Sequence, residues 1–215
     1  MCILNLYIFI EKEAILVICI LSNSIMKFNE FVSNYYRDFV EVIDNFDKTS
    51  LPAVLDIFTR VADAGGTIWV AGNGGSAAIS DHAVCDTTKL TYVDGKPPVK
   101  SISLASNGPM LTALANDFAY EDVFSKQLEY YLEPEDAVLL VSSSGNSPNV
   151  VKACEYANSR GVPTIAFTGF SGGKLKDLAQ VSVWIPVDNY GMAEDIHQSM
   201  MHVITQYISR KTAQN

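Results

Sequence analysis

The sequence predicts an α/β fold, a five-stranded parallel sheet sandwiched between helices and preceded by N-terminal helices. Three observations carry that expectation. Five short apolar runs, rich in β-branched and aromatic residues, recur along the chain. Helical stretches separate each run from the next, and two runs end in Gly- or Ser-rich loops that open directly into a helix. Strands apolar throughout are buried on both faces, and their alternation with helices makes the sheet parallel.

The elements follow in order. Residues 1–10 and 14–21 are apolar runs split by Glu11-Lys12-Glu13. A membrane-spanning helix needs ~20 apolar residues and tolerates charge poorly at its midpoint. A signal peptide would show a basic start and a small-residue cleavage site, and this stretch has neither. The expectation is that residues 1–25 are an atypical apolar segment, an appendage or a start-site artefact with translation beginning at Met26. Residues 26–215 then form a single domain with two N-terminal helices. In the first of these, Phe28, Phe31, Val32, Tyr35, Phe39, Val42 and Phe46 recur at helical spacing. Ser50 and Pro52 open the second helix and Gly65-Gly66 closes it.

Strands are expected at 67–71, 99–104, 137–141, 164–168 and 181–187. Helices are expected at 76–89, 108–115, 123–132, 148–160, 173–179 and 193–210. The architecture is flavodoxin-like or Rossmann-like, with ligands beyond the carboxyl ends of the strands. The wide aromatic stripe of the first helix exceeds what one sheet face needs, which points toward contact with another subunit.

Composition narrows the function. The 215 residues carry 24 acidic and 15 basic side chains, a net charge of −9, which opposes binding to nucleic-acid phosphates. Four cysteines without a C-x-x-C pair indicate incidental thiols in a reducing compartment, hence a cytoplasmic protein with no membrane anchor. No single-sign tail or low-complexity tract suggests disorder, collagen or coiled coil.

Two loops look built for phosphate. Gly72-Asn73-Gly74-Gly75-Ser76 lets backbone approach a ligand at a helix N-terminus. Ser142-Ser143-Ser144-Gly145-Asn146-Ser147-Pro148 adds hydroxyl donors, and Pro148 suits a first helical turn. Neither is a Walker motif, since no Gly-Lys-Ser/Thr follows, and the dinucleotide fingerprint fails because Ala77 stands where its third glycine would be. Either loop alone is compatible with an ordinary tight turn; two on one sheet edge suggest a phosphorylated ligand. The three histidines are His82, His197 and His202. His82 and Asp86 share a helix face, a spacing common both in metal sites and in ordinary buried pairs.

These loops, with Thr112-Ala113-Leu114-Ala115-Asn116-Asp117 and Thr168-Gly169-Phe170-Ser171-Gly172-Gly173-Lys174-Leu175, resemble the sugar isomerase (SIS) domain, and within it the phosphoheptose isomerases. The resemblance runs from about Lys27 to Arg210. It implies that Ser142, Ser143, Ser144 and Ser147 bind the sugar phosphate. Asn73, Gly74, Gly75, Ser76, Asn116, Asp117 and Glu194 would contact the rest of the substrate. Members carry His-x-x-x-Glu on the helix after the first loop, and a Gln followed eight residues later by His on the last helix, and these bind zinc. The matching residues here are His82, Asp86, Glu194 and His202, with Asp in place of Glu and Glu in place of Gln. Two imidazoles and two carboxylates still suit a divalent ion, Zn2+ foremost, and no organic cofactor is implied. Eight helical residues rise ~12 Å, so Glu194 joins His202 on one ion only from a frayed helix start; His197 is the alternative ligand, though it matches no metal position.

What the resemblance implies is interconversion of sedoheptulose 7-phosphate and D-glycero-D-manno-heptose 7-phosphate through an enediolate, by a cytoplasmic homotetramer serving surface-polysaccharide precursors. Asp86 would be the base and His202 the acid. The alternatives are a non-catalytic SIS scaffold that binds a replication initiator, and an isomerase for another sugar phosphate.

Overall fold

The computed structural model describes residues 27–214, and the expectation for residues 1–25 lies outside them. Chain contacts divide the molecule after Asn45, so the helix before that point and the unit from Phe46 onward are taken separately. Helix α1, residues 27–45, shows the expected aromatic face: Phe31 and Tyr35 have ring centroids 6.3 Å apart, and Tyr35 stacks on Phe39 at 6.4 Å.

The second unit opens with α2 (Leu51–Ala64), carrying Pro52 in its first turn. Gly65, at φ 75°, takes the left-handed position after it, and the Gly65 and Gly66 amides bond the carbonyls of Ala62 and Val61. Then follow β1 (Thr67–Ala71), α3 (Gly75–Cys85), β2 (Lys100–Ser103), α4 (Gly108–Asp117), α5 (Val123–Tyr131), β3 (Ala137–Ser142), α6 (Pro148–Ser159), β4 (Thr164–Thr168), α7 (Gly173–Leu178), β5 (Val181–Trp184) and α8 (Tyr190–Gln214).

All five strands are parallel, in the order β2-β1-β3-β4-β5, with Trp69 opposite Val138 and Val138 opposite Thr164. Every residue of β3 and β4 is buried, as continuous apolar runs require, whereas edge strand β2 alternates and exposes Lys100 and Ile102. One face of the sheet packs its Trp69, Val138 and Leu140 against α4, α5 and α6, through Leu114, Phe124, Leu128 and Val150. The opposite face is covered by α2, α3 and α8. Buried Asp136 ties the starts of β1 and β3 together: Oδ1 accepts the Thr67 amide at 2.7 Å, and Oδ2 accepts the Trp69 indole at 2.8 Å.

Several boundaries shift from expectation, α8 running from Tyr190 to Gln214 rather than 193 to 210, and two of the shifts have a local cause. Strand β5 stops at Trp184 rather than Val187, because Pro186 has no N–H to continue the ladder; Ile185 makes one further bond, to the Thr168 carbonyl. The helix expected to run unbroken to Lys89 changes winding at Asp86, where a π-helical turn spans Asp86–Leu90. There the Thr87 hydroxyl bonds back to the Ala83 carbonyl at 2.7 Å and also meets Ser101 of β2. Such turns recur at functional sites. Among the described residues, no helix is long and apolar enough to cross a membrane.

Candidate active site

The strand order reverses at β1, which has β2 on one side and β3 on the other, so the crevice beyond β1 and β3 is the expected ligand position. Both loops singled out in the sequence rise there. They are bound to each other: the side-chain amides of Asn73 and Asn149 exchange two hydrogen bonds, at 2.8 and 2.9 Å. Tyr120, in a short helical turn before α5, donates its hydroxyl to Asn73 Oδ1 at 2.9 Å. Asn149 lies one residue past the serine motif, and Tyr120 gave no sequence signal because its contact is made across the fold.

The serine loop is shaped by its own backbone and by the loop after β4. The Gly145 amide bonds the Ser142 carbonyl at 3.0 Å, and the Gly169 amide bonds the Ser143 carbonyl at 2.8 Å. Gly145 sits at φ 64°, where a Cβ would collide with the Gly172 carbonyl, so only glycine closes this turn. Ser142 and Ser143 are buried, and the Ser143 hydroxyl has no partner. Ser144 accepts the Asn146 amide at 3.3 Å. Ser147 stands at the N-cap of α6, where its carbonyl accepts the Val150 and Val151 amides and its hydroxyl makes no capping bond.

In the first loop Gly74 precedes α3 and its carbonyl accepts the amides of Ala77 and Ala78. Ser76 is buried against Gly72, which removes it from easy ligand contact. Asn116 and Asp117 lie exposed at the end of α4 and are hydrogen-bonded to each other at 3.0 Å. No described hydrogen bond ties them to either loop.

At the far end of α3 three side chains converge. His82 Nε2 lies 3.4 Å from Asp86 Oδ2, His202 Nε2 lies 3.3 Å from the same oxygen, and the two nitrogens are 3.2 Å apart. Asp86 Oδ2 is buried and has no hydrogen-bond partner, despite two imidazole nitrogens beside it. Three lone-pair atoms facing one another call for a shared proton or a cation. Ligands at 2.0–2.1 Å from a tetrahedral zinc ion are about 3.3–3.4 Å from each other, and the three separations match. The residues therefore fit a divalent metal.

Glu194 does not join that group. Helix α8 is already regular at Tyr190, so Glu194 stands two turns from His202, and its carboxylate presses on Gly75 at the start of α3. Burial, with Asp195 adding like charge, raises its pKa above the ordinary carboxylate value. His197 is not a ligand either. It is fully buried beside Phe167, ring centroids 6.1 Å apart, and burial lowers its pKa to about 4. Neither ring nitrogen makes a hydrogen bond, although the nearby Thr168 backbone offsets part of the burial effect. Gln198, by contrast, reaches the cluster: its side-chain nitrogen is 3.0 Å from His202 Nε2. The available sequence signal was its spacing, one turn before His202 on the same helix face.

Residues 33–169 match the SIS domain. The chain is 35% identical over 186 residues to the phosphoheptose isomerase of Akkermansia muciniphila, covering 84% of this chain and 98% of that one. The chain belongs to the phosphoheptose isomerase family of SIS domains. A probable phosphoheptose isomerase from Thermoplasma acidophilum is likewise 35% identical, over 78% of this chain and 91% of its own. Among solved structures, phosphoheptose isomerase GmhA from Neisseria gonorrhoeae superposes with a TM-score of 0.78 at 25% identity, covering 85% of this chain and 98% of that one. The expected SIS fold is thus borne out. The match to the SIS domain ends at the close of β4, whereas α8, which supplies His202 to the cluster, lies beyond it.

Proposed function

We propose that this SIS domain interconverts sedoheptulose 7-phosphate and D-glycero-D-manno-heptose 7-phosphate, supplying heptose for surface-polysaccharide precursors. The observations that carry the reading are an uncharged serine cradle at the carboxyl end of β3 and a cluster of two imidazoles and a carboxylate on α3, its π-helical turn and α8, in a chain whose relatives are named for that activity. Ser144, Ser147 and the N-terminus of α6 hold the phosphate, and Ser143 offers its unpartnered hydroxyl from beneath. Asn73, Gly74 and Gly75 form the wall beside the sugar. Gripping the phosphate orients the distant carbonyl end, which substitutes positioning for chance encounter.

Asp86 takes the proton from the carbon beside the carbonyl and returns it to the neighbouring carbon. His202 serves the substrate oxygens as acid through Nε2 in the metal-free site, and would hold the ion through that atom, without a proton on it, when a metal is bound. A divalent ion held by His82, Asp86 and His202, when bound, supplies the positive charge that stabilises the enediolate oxygens. A second reading gives the base role to Glu194, because its carboxylate lies against the glycine loop and outside the cluster, free to accept a proton. A cytoplasmic homotetramer completes the proposal, supported by the aromatic face of α1. The test is turnover of sedoheptulose 7-phosphate by purified protein, before and after chelator treatment and zinc restoration. Turnover lost on chelation and regained with zinc is the expected result. Absence of turnover in every state favours the scaffold alternative.

A further inference from the structure

The carboxylate of an aspartate hangs from a single methylene, so the backbone that carries it largely sets where it can reach. Asp86 Oδ2 is buried, 3.4 Å from His82 Nε2 and 3.3 Å from His202 Nε2. Its backbone opens the π-helical turn Asp86–Leu90, where the regular winding of α3 ends. Buried hydroxyls hold that turn. Near its start the Thr87 hydroxyl donates to the Ala83 carbonyl at 2.7 Å and meets the Ser101 hydroxyl of β2. Thr87 has one proton to give and spends it on Ala83, so Ser101 donates the second bond. At the end of the turn the Thr91 hydroxyl donates to the Thr87 carbonyl and accepts the Val99 amide at 2.9 Å. Thr87, Thr91 and Ser101 are all buried. The turn is therefore pinned at both ends to the edge strand, whose Ser101 lies opposite Ile68 of β1.

We propose that Thr87 and Ser101 are positioning residues: their hydroxyl pair holds the backbone of Asp86 where its carboxylate reaches both imidazoles. The inference rests on reading His82, Asp86 and His202 as the reacting group. Thr87 is fully buried and acts through the residue before it. The hydroxyls matter here beyond their shape. A valine at position 87 would fill the same space, yet it would leave the Ser101 hydroxyl without its acceptor and the Ala83 carbonyl without this donor.

The test separates hydroxyl from shape. Thr87→Val keeps the volume and removes the bonds, Thr87→Ser keeps the hydroxyl, and Ser101→Ala cuts the pair from the strand side without touching α3. Full-length proteins are assayed for turnover of sedoheptulose 7-phosphate and unfolded in urea; after stripping with a chelator they are titrated with Zn2+ against a chromophoric competitor. Thr87→Val is expected to lower kcat ~10–100-fold with KM nearly kept, and to weaken Zn2+ by a similar factor, the cost of losing a group that orients a ligand. Ser101→Ala moves both in the same direction, and Thr87→Ser restores them. The double variant is no worse than Thr87→Val alone, because both changes cut one interaction. Thr59→Val, which loses a like bond to the Leu55 carbonyl on α2, leaves kcat and Zn2+ affinity unchanged. The proposal is overturned if folded Thr87→Val keeps the parental kcat and Zn2+ affinity, if Thr87→Ser does not restore them, or if Thr59→Val loses as much. Should Thr87→Val fail to fold, Ser101→Ala decides by the same readings. A parent protein that neither turns over the sugar phosphate nor binds Zn2+ overturns the proposal together with the site reading beneath it; a working parent indifferent to Thr87 overturns the proposal alone.

Discussion

The two ends of the proposed site are built by different means. The phosphate end is made of consecutive residues: β3 runs into Ser142–Ser147, and α6 begins at Pro148. Its donors are hydroxyls and backbone N–H groups whose positions follow once strand and helix form. The reacting end takes His82 from α3, Asp86 from the first residue of a π-helical turn, and His202 from the last helix, 120 residues after His82. Local construction gives a binding site robust to single losses. Assembly from distant elements gives one in which each side chain lacks a substitute.

That contrast fixes the order of expected effects. His202→Ala or Asp86→Asn should lower kcat by ~10²–10⁴ while KM moves only a few-fold, since each removes a group that moves protons. Glu194→Gln is the companion experiment. If it abolishes turnover while Asp86→Asn retains it, the base is Glu194, and the reacting end extends to the glycine loop.

His197 tests whether the support beneath the reacting end is as sensitive as its surface. Its folded pKa of about 4 lies below the ordinary 6.5, so the unfolded chain binds the proton more readily. Stability from this residue is complete above pH 6.5 and falls as the pH drops toward 4, by up to about 3 kcal/mol. Urea unfolding at pH 7 and pH 4.5 should show a smaller loss in His197→Leu than in the parent.

At the phosphate end, Ser147→Ala or Ser144→Ala should cost ~1.5–3 kcal/mol of substrate binding, roughly ten- to a hundredfold in KM, with kcat nearly kept. A fall in kcat with KM unchanged would erase the distinction between the two ends. The smallest effect is expected at the seam. Asn149→Ala strips Asn73 of two hydrogen bonds, and a loss of ~1–3 kcal/mol in urea unfolding should follow.

The same contrast explains what could be read from sequence. Strands β1, β3 and β4 announce themselves as unbroken apolar runs, and the serine loop lies between two of the clearest elements in the chain. His82 and Asp86 were legible as a pair because one helix face holds them. The place of Glu194 was not, since it depends on where α8 passes Gly75, a relation between residues 119 positions apart. Spacing alone could not choose between Glu194 and His197, and among the described residues neither joins the group of His82, Asp86 and His202. Tyr120 and Asn73 meet only because the turn before α5 folds back over the β1 loop.

The reciprocal amide bonds between Asn73 and Asn149 carry a consequence for substrate length. They join the two loops through groups that do not titrate and carry no net charge, so the gap they hold is the same across the working pH range. On the proposed function, with the phosphate on the serine loop and the carbonyl at the histidines, the crevice acts as a ruler. A sugar phosphate shorter by one carbon brings its carbonyl up short by roughly 1.5 Å, one carbon–carbon bond. A displacement of 1 Å already costs about a hundredfold in rate. Selection among sugar phosphates then needs no dedicated contact with the extra carbon; it follows from the rigidity of a clasp made by two neutral side chains.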